Sequence, residues 1–278
     1  MPKPPPPKVV DIAERVRSGL QGLTQKMVPP QLALMDFVAD FWGAHIVFAL
    51  AELEIVDALR DGARSADDVA AELSLHPDRT YRLLRAGTNV GVVQEEAGRR
   101  FTLTPIGVAL CKQDNESFRD FIILMGHVST RFWQRLPDCV REGSTAIELE
   151  TGQQPFEYLT GDAPVRHLFN RAMTAVSSIS ADALTAVYDF TPFATIADIG
   201  GGEGRLLAAM LSAAPKARGV LFDLPAVVTS APPVLESLGM TDRVDVVGGD
   251  FFEAVPADAD LYMMKSVIHD WSDDDATK

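Results

Sequence analysis

The stretch TIADIGGGEGRLLAA, Thr195 to Ala209, decides the reading of this chain. Thr195–Ile199 is a short β-rich run. Glycines at 200, 201, 202 and 204 follow, and an apolar helical pattern begins at Arg205. A strand that turns through glycines into a helix brings bare backbone close to a ligand at the helix N-terminus. The spacing excludes two common uses of such a turn. A dinucleotide fingerprint, G-x-G-x-x-G, needs a third glycine at 205 or, counted from Gly202, at 207; those positions are Arg205 and Leu207. No Gly-Lys-Ser/Thr is present, so this is not a Walker loop. What remains is acidic-x-Gly-x-Gly-x-Gly, with Asp198 in the acidic position.

Downstream, strands alternate with helices. Strands are expected at Gly219–Phe222, Val244–Val247 and Leu261–Met264, with helices over Arg205–Ala213 and most of Pro225–Leu238. Such alternation implies βα units and a parallel sheet. Each strand ends in polar residues. Asp223 ends the second strand in VLFDLP, 23 residues after Gly200. A carboxylate at that tip can accept both hydroxyls of a ribose; its ordinary alternative is a helix cap before Pro225. Gly248-Gly249-Asp250-Phe251-Phe252 follows the third strand. There Asp250 could accept from an adenine amino group, with Phe251 against the ring face. Lys265 to Asp273, KSVIHDWSD, follows the fourth.

Upstream the chain reads as mainly helical. Residues 1–30 are a proline-rich lead-in and a first helix, broken at Pro29-Pro30. A long apolar helix is expected from Gln31 to Leu59, apolar on more than one side and so buried in a core or a subunit interface. Ser65 reads as an N-cap. His76-Pro77-Asp78 reads as a turn, a second helix runs from Arg79 to Gly87, and strands are expected at Val90–Val93 and Phe101–Thr104. Helix, turn, helix, hairpin is a winged-helix pattern. Arg79, Arg82 and Arg85 lie three apart on its second helix, as in a DNA-reading helix. Acidic residues surround them, and positive charge is not collected in one place, so a structural or dimerising module is the favoured reading. Further helices follow, with Gly143–Gln154 read as a loop and Val165–Val187 as a long helix. The expected organisation is a lead-in at 1–30, a helical and winged-helix domain at 31–190, and a ligand-binding domain at 191–278.

Composition narrows the function classes. Lys plus Arg total 25 and Asp plus Glu total 39 among 278 residues, a net charge of −14. An acidic chain suits a phosphate backbone or an anionic membrane poorly. Cys111 and Cys139 sit in no C-x-x-C spacing, which argues against a disulfide framework or a zinc site. No unbroken apolar run reaches the ~18 residues of a membrane span. No nucleic acid, no membrane, no metal and a cytoplasmic location are the expectations.

The acidic-x-Gly-x-Gly-x-Gly turn resembles motif I of the S-adenosylmethionine-dependent methyltransferases. DIGGGEG, FDLP, GDFF and HDWSD, in that order, are similar to the plant-type small-molecule O-methyltransferases and their bacterial relatives, over nearly the whole chain. The resemblance implies an α/β Rossmann-like methyltransferase domain preceded by a mainly helical, winged-helix dimerisation domain. It implies S-adenosyl-L-methionine as cofactor, a small and aromatic hydroxyl compound as substrate, and a homodimer. It also implies site residues. His269 would be the general base; a side chain with an ordinary pKa of ~6.5 suits removal of a hydroxyl proton at neutral pH. Gly200, Asp223, Gly249, Asp250, Phe251, Lys265 and Ser177 would hold the cofactor. Met173 and Asn170, in a helix similar to the family's substrate-side helix, and Trp133 would face the substrate. Family members continue past HDWSD with further strands and carboxylates that orient the histidine, whereas this chain stops at Lys278. The expectation is therefore a four-stranded sheet with an open edge. A non-catalytic or truncated homologue that binds cofactor or dimerises, and a winged-helix DNA-binding regulator, are the alternatives.

Overall fold

A computed structural model describes residues 7–112 and 117–278. The chain divides into two compact units, residues 11–158, and residues 159–278 together with residues 7–10.

The described chain begins with two long helices, α1 (Pro7–Met27) and α2 (Pro30–Glu52). Pro30 stands at the start of α2, where its missing N–H costs nothing. The helix expected to run to Leu59 ends early. Glu54 takes a left-handed conformation, φ 59°, and a single turn α3 (Ile55–Ala58) follows. From Ile46 onward the side chains of α2 enter the core, and Leu50 and Ala51 are fully buried. Its first half is the opposite: Leu34, Phe37, Phe41 and Trp42 are each more than half exposed. Among the described residues α2 is also the one helix long and apolar enough, by length and composition, to cross a membrane. Asp36 and Asp40 interrupt its apolar run without making it polar, so a search for unbroken runs passes over it.

The winged-helix pattern takes shape over the next fifty residues. The order is β1 (Arg64–Ser65), α4 (Ala66–Glu72), α5 (Pro77–Asn89), β2 (Val93–Glu96), β3 (Arg100–Leu103) and the turn α6 (Pro105–Val108). The Ser65 side chain caps α4 by accepting from the Asp68 amide. Pro77 opens α5 rather than sitting in a free turn. The three strands form an antiparallel sheet ordered β1-β3-β2. The strand expected at Val90–Val93 begins only at Val93. Gly91 turns the chain at φ 72°, and the Val92 amide is spent on the Gly87 carbonyl that ends α5. Leu59, Val69, Leu84, Val92 and Phe101 fill the core between these elements.

Short helices follow: α7 (Arg119–Leu124), a π-helical turn at Met125–Ser129, α8 (Thr130–Trp133), α9 (Leu136–Glu142), α10 (Ala146–Thr151) and α11 (Pro155–Gly161). α10 occupies the segment read as a loop. A capping box starts it, with Thr145 accepting from the Glu148 amide while the Glu148 side chain accepts from the Thr145 amide.

The second unit carries α12 (Ala163–Val187), β4 (Thr195–Ile199), α13 (Arg205–Ala213), β5 (Arg218–Asp223), α14 (Pro225–Val228), α15 (Ala231–Ser237), β6 (Val244–Gly248), β7 (Leu261–Met263) and the turn α16 (Asp273–Ala276). Pro232 and Pro233 fall in the first turn of α15, where proline is tolerated, so they open this helix rather than interrupt one. The four strands are all parallel, in the order β6-β5-β4-β7. Ile196, Leu207, Met210, Leu211 and Leu221 form the buried centre, where α13 packs on the sheet. Two polar devices pin the scaffold. The Asp260 carboxylate accepts from the Ala194 and Thr195 amides at 2.8 and 2.9 Å, joining the start of β7 to the start of β4. The Arg243 guanidinium donates to the Leu211, Ala214 and Ala217 carbonyls at 3.1, 2.8 and 2.7 Å, which closes the C-terminus of α13.

Candidate cofactor and catalytic site

The strand order reverses at β4: β5 and β6 extend the sheet on one side and β7 on the other. Ligands of open α/β sheets bind outside the carboxyl ends of the strands at such a switch point. The glycine-rich turn lies there. β4 is buried from Ile196 to Ile199 and ends in Gly200, at φ 70°. The Gly200 amide donates to the Phe222 carbonyl of β5 at 2.8 Å. A Cβ on Gly200 would lie 2.7 Å from a methyl of Val267, which follows β7. The glycine therefore permits both the turn and the close approach.

Asp223, at the tip of β5, is mostly buried. Its two carboxylate oxygens accept from the Gly202 amide at 2.8 Å and the Leu224 amide at 2.7 Å. Burial pushes its carboxyl above the ordinary value, and the two amide bonds oppose that shift. Asp223 thus ties the glycine turn to the strand tip, in addition to the cap-like bond at Leu224. The Gly249 amide donates to the Asp223 carbonyl at 3.0 Å, and a Cβ on Gly249 would strike the Phe222 ring. Asp250 is exposed and closes its own turn by accepting from the Phe252 amide at 2.8 Å. Phe251 is half-buried beside Ala197, Ile199 and Phe222, with the Trp271 ring edge-on at 5.8 Å.

Two expected residues far apart in sequence meet. Lys265, after β7, places Nζ 3.4 Å from the Ser177 hydroxyl on α12. One turn earlier, the Thr174 hydroxyl donates to the Glu203 carboxylate of the glycine turn at 3.0 Å, so α12 is fastened to that turn. Asn170 is 9% exposed and Met173 half-buried on the same helix. Trp133 belongs to the other compact unit and is 68% exposed. His269 sits on a single 3₁₀ turn, Ile268–Asp270, with its side chain 68% exposed. Its Nε2 lies 3.3 Å from a carboxylate oxygen of Asp270, whose carboxyl burial raises against the pull of the histidine.

Asp198 is the residue to which the sequence pattern assigns no task. It is 1% exposed, and its Oδ2 has no hydrogen-bond partner among the described residues. Burial, and then the charge of Asp223, push its carboxyl up to about 7, with Lys265 pulling the other way. A Cβ on Gly201 would lie 2.8 Å from its carboxyl carbon. The signal that could have found it is its position, the acidic letter of the glycine motif.

These residues form a charged set suited to a zwitterion attached to a nucleoside. A buried carboxyl with an orphaned oxygen complements an ammonium group. Lys265, Ser177 and the amides of the turn complement a carboxylate, and Asp223 at the strand tip suits a ribose. S-adenosylmethionine has this composition, and the residues present fit it. Among the described residues no group of three or more His, Cys, Asp or Glu could hold a metal ion.

Comparison with known proteins agrees. The O-methyltransferase domain family matches residues 133–278, and the O-methyltransferase dimerisation domain family matches residues 35–113. The phenazine O-methyltransferase PhzM of Lysobacter antibioticus is 35% identical, over 88% of this chain and 72% of its own length. The mitomycin biosynthesis 6-O-methyltransferase of Streptomyces lavendulae is also 35% identical, over 87% of this chain and 70% of its own length. Among solved structures, human N-acetylserotonin methyltransferase in complex with S-adenosylmethionine superposes with a TM-score of 0.81 at 27% identity, covering 89% of this chain and 74% of the other. The winged-helix unit, the reversal point of the parallel sheet and these matches lead to one conclusion: the chain belongs to the S-adenosylmethionine-dependent O-methyltransferase family.

Proposed function

We propose that the protein transfers a methyl group from S-adenosylmethionine to a hydroxyl of a small aromatic molecule, as a homodimer. The observation that carries this reading is the Asp223 carboxylate, bonded to the glycine turn at the switch point of the sheet. When bound, the cofactor supplies a methyl group on a positively charged sulfur, open to in-line displacement.

The chain's own residues would divide the remaining work. Asp223 accepts from the ribose hydroxyls. Gly200 and Gly249 let the backbone approach, and Phe251 offers a ring beside the Asp250 turn. Asp198 faces the ammonium end, while Lys265 and Ser177 face the carboxylate end. His269 takes the hydroxyl proton at a ring nitrogen, and Asp270, 3.3 Å from Nε2, steadies the imidazole and the positive charge it gains. Asn170 and Met173 line the substrate side from α12. Positioning of the acceptor oxygen supplies much of the rate. The exposed apolar first half of α2, within the matched dimerisation domain, is the surface on which a second copy would close.

The test is calorimetric titration of the 278-residue chain with S-adenosylhomocysteine. Saturable binding that Asp223→Ala abolishes supports the site. Methyl transfer to a panel of phenols that is lost in His269→Ala, with S-adenosylhomocysteine binding kept, supports the base. Absence of binding by a folded chain overturns the reading.

A further inference from the structure

The three arginines of α5 are less scattered than their acidic neighbours in sequence suggest. Arg79, Arg82 and Arg85 line one cavity with Arg99, which arrives from the turn between β2 and β3. It is an open groove of about 850 Å³, and six of its seven lining residues are exposed to solvent. Four arginines from two separate elements line this one space. The Arg99 guanidinium lies 3.9 Å over the Tyr81 ring, and its backbone holds φ 57°, uncommon for a residue with a side chain. That stack fixes one wall. Tyr81 is itself anchored, its hydroxyl donating to Glu95 at 3.2 Å and its ring meeting Phe101 edge-on.

Two carboxylates stand against the four cations. Glu95 is engaged by Arg85 at 3.5 Å and by Tyr81. Asp78 lines the cavity within the first turn of α5. Arg79 and Arg82 have no carboxylate within salt-bridge distance among the described residues. His76, also in the lining, stands at the N-cap of this thirteen-residue helix and makes no side-chain cap bond. The positive end of the helix thus adds to the field of the arginines.

We propose that this cavity is a second binding site, for a compact oligophosphate such as the diphosphate group of a nucleotide. Planar guanidinium groups bind phosphate oxygens in pairs, and several of them around one small space select a compact multiple anion. A nucleic-acid duplex fits less well. The same unit carries Asp67, Asp68 and Glu72 on α4 and Glu96 on β2, and the whole chain carries −14. The site is independent of the methyl-transfer reading, since it lies wholly within the unit 11–158.

The experiment is calorimetric titration of the full chain with inorganic pyrophosphate, with ADP, and with a short DNA duplex. Arg79→Gln/Arg82→Gln is the disabling variant; both side chains are exposed, so the fold tolerates the change, and a thermal melt checks it. The expected result is saturable binding of pyrophosphate at one site per chain. The double variant weakens it by roughly tenfold or more, while Asp223→Ala leaves it unchanged. Equal affinity for ADP and pyrophosphate supports a site for the diphosphate alone, and tighter binding of ADP that persists in Asp223→Ala and is lost in the double variant supports a nucleotide site. Three results overturn the proposal: no saturation at millimolar pyrophosphate, binding indifferent to the double variant, or a duplex bound more tightly than pyrophosphate. Binding of S-adenosylhomocysteine by the same double variant separates a failure here from a failure of the cofactor site.

Discussion

Replacing Asp198 with asparagine removes a buried carboxyl that the fold holds near neutrality. Its ordinary value is 3.8, and burial followed by the charge of Asp223 carries it to about 7 in the folded chain. The folded state therefore binds this proton more tightly than the unfolded state. The stabilisation is complete below the unfolded value and is lost as pH rises through the folded one. Each tenfold gain in proton affinity is worth about 1.4 kcal/mol. Over the full window the loss is about 4 kcal/mol, of which about 3 kcal/mol falls between pH 5 and 8. Asparagine carries no titrating proton, so Asp198→Asn has a constant offset and no such loss. Urea unfolding of both proteins at several values between pH 5 and 8 gives the difference directly, with every other titrating group common to the two. The stability of the variant relative to the parent should rise by about 3 kcal/mol across that interval. A difference that stays level within about 1 kcal/mol would refute the claim that Asp198 is buried with a folded-state value near 7.

Three further outcomes are expected. Gly200→Ala forces a side chain into φ 70° and against Val267; it should cost about 1–3 kcal/mol and abolish S-adenosylhomocysteine binding, read by thermal melt and calorimetry. Arg243→Met removes the bonds to the Leu211, Ala214 and Ala217 carbonyls; it should destabilise the chain by about 2–3 kcal/mol in urea unfolding, with any surviving folded protein binding cofactor normally. Thr145→Ala breaks the capping box of α10 and should cost about 1 kcal/mol, with faster amide exchange confined to residues 146–151.

Legible in the sequence is whatever the local chain writes in one place. The glycine turn, the strand-tip Asp223 and the alternation of strands and helices are short-range patterns, and they fall where expected. The capping box at Thr145 and Glu148 is equally local, but the polar character of its segment masks it. The break at Glu54 has no glycine or proline to announce it. The environment of Asp198 is of another kind: its burial comes from the sheet and α13, and its neighbour Asp223 comes from the adjacent strand. The arginine cavity needs Arg99 to be folded back onto Tyr81, eighteen positions earlier in the chain. A charge pattern read along one helix cannot show that. The Lys265–Ser177 contact spans 88 positions, and only the family resemblance places both residues at one site.

The bond between Asp223 and the Gly202 amide orders the strand tip before any ligand arrives. Each carboxylate oxygen has a further lone pair to offer, so in the proposed site Asp223 can hold the turn and accept from a ribose at once. The side chain is already oriented by the two backbone amides, and little of its freedom is left for a ligand to remove on binding.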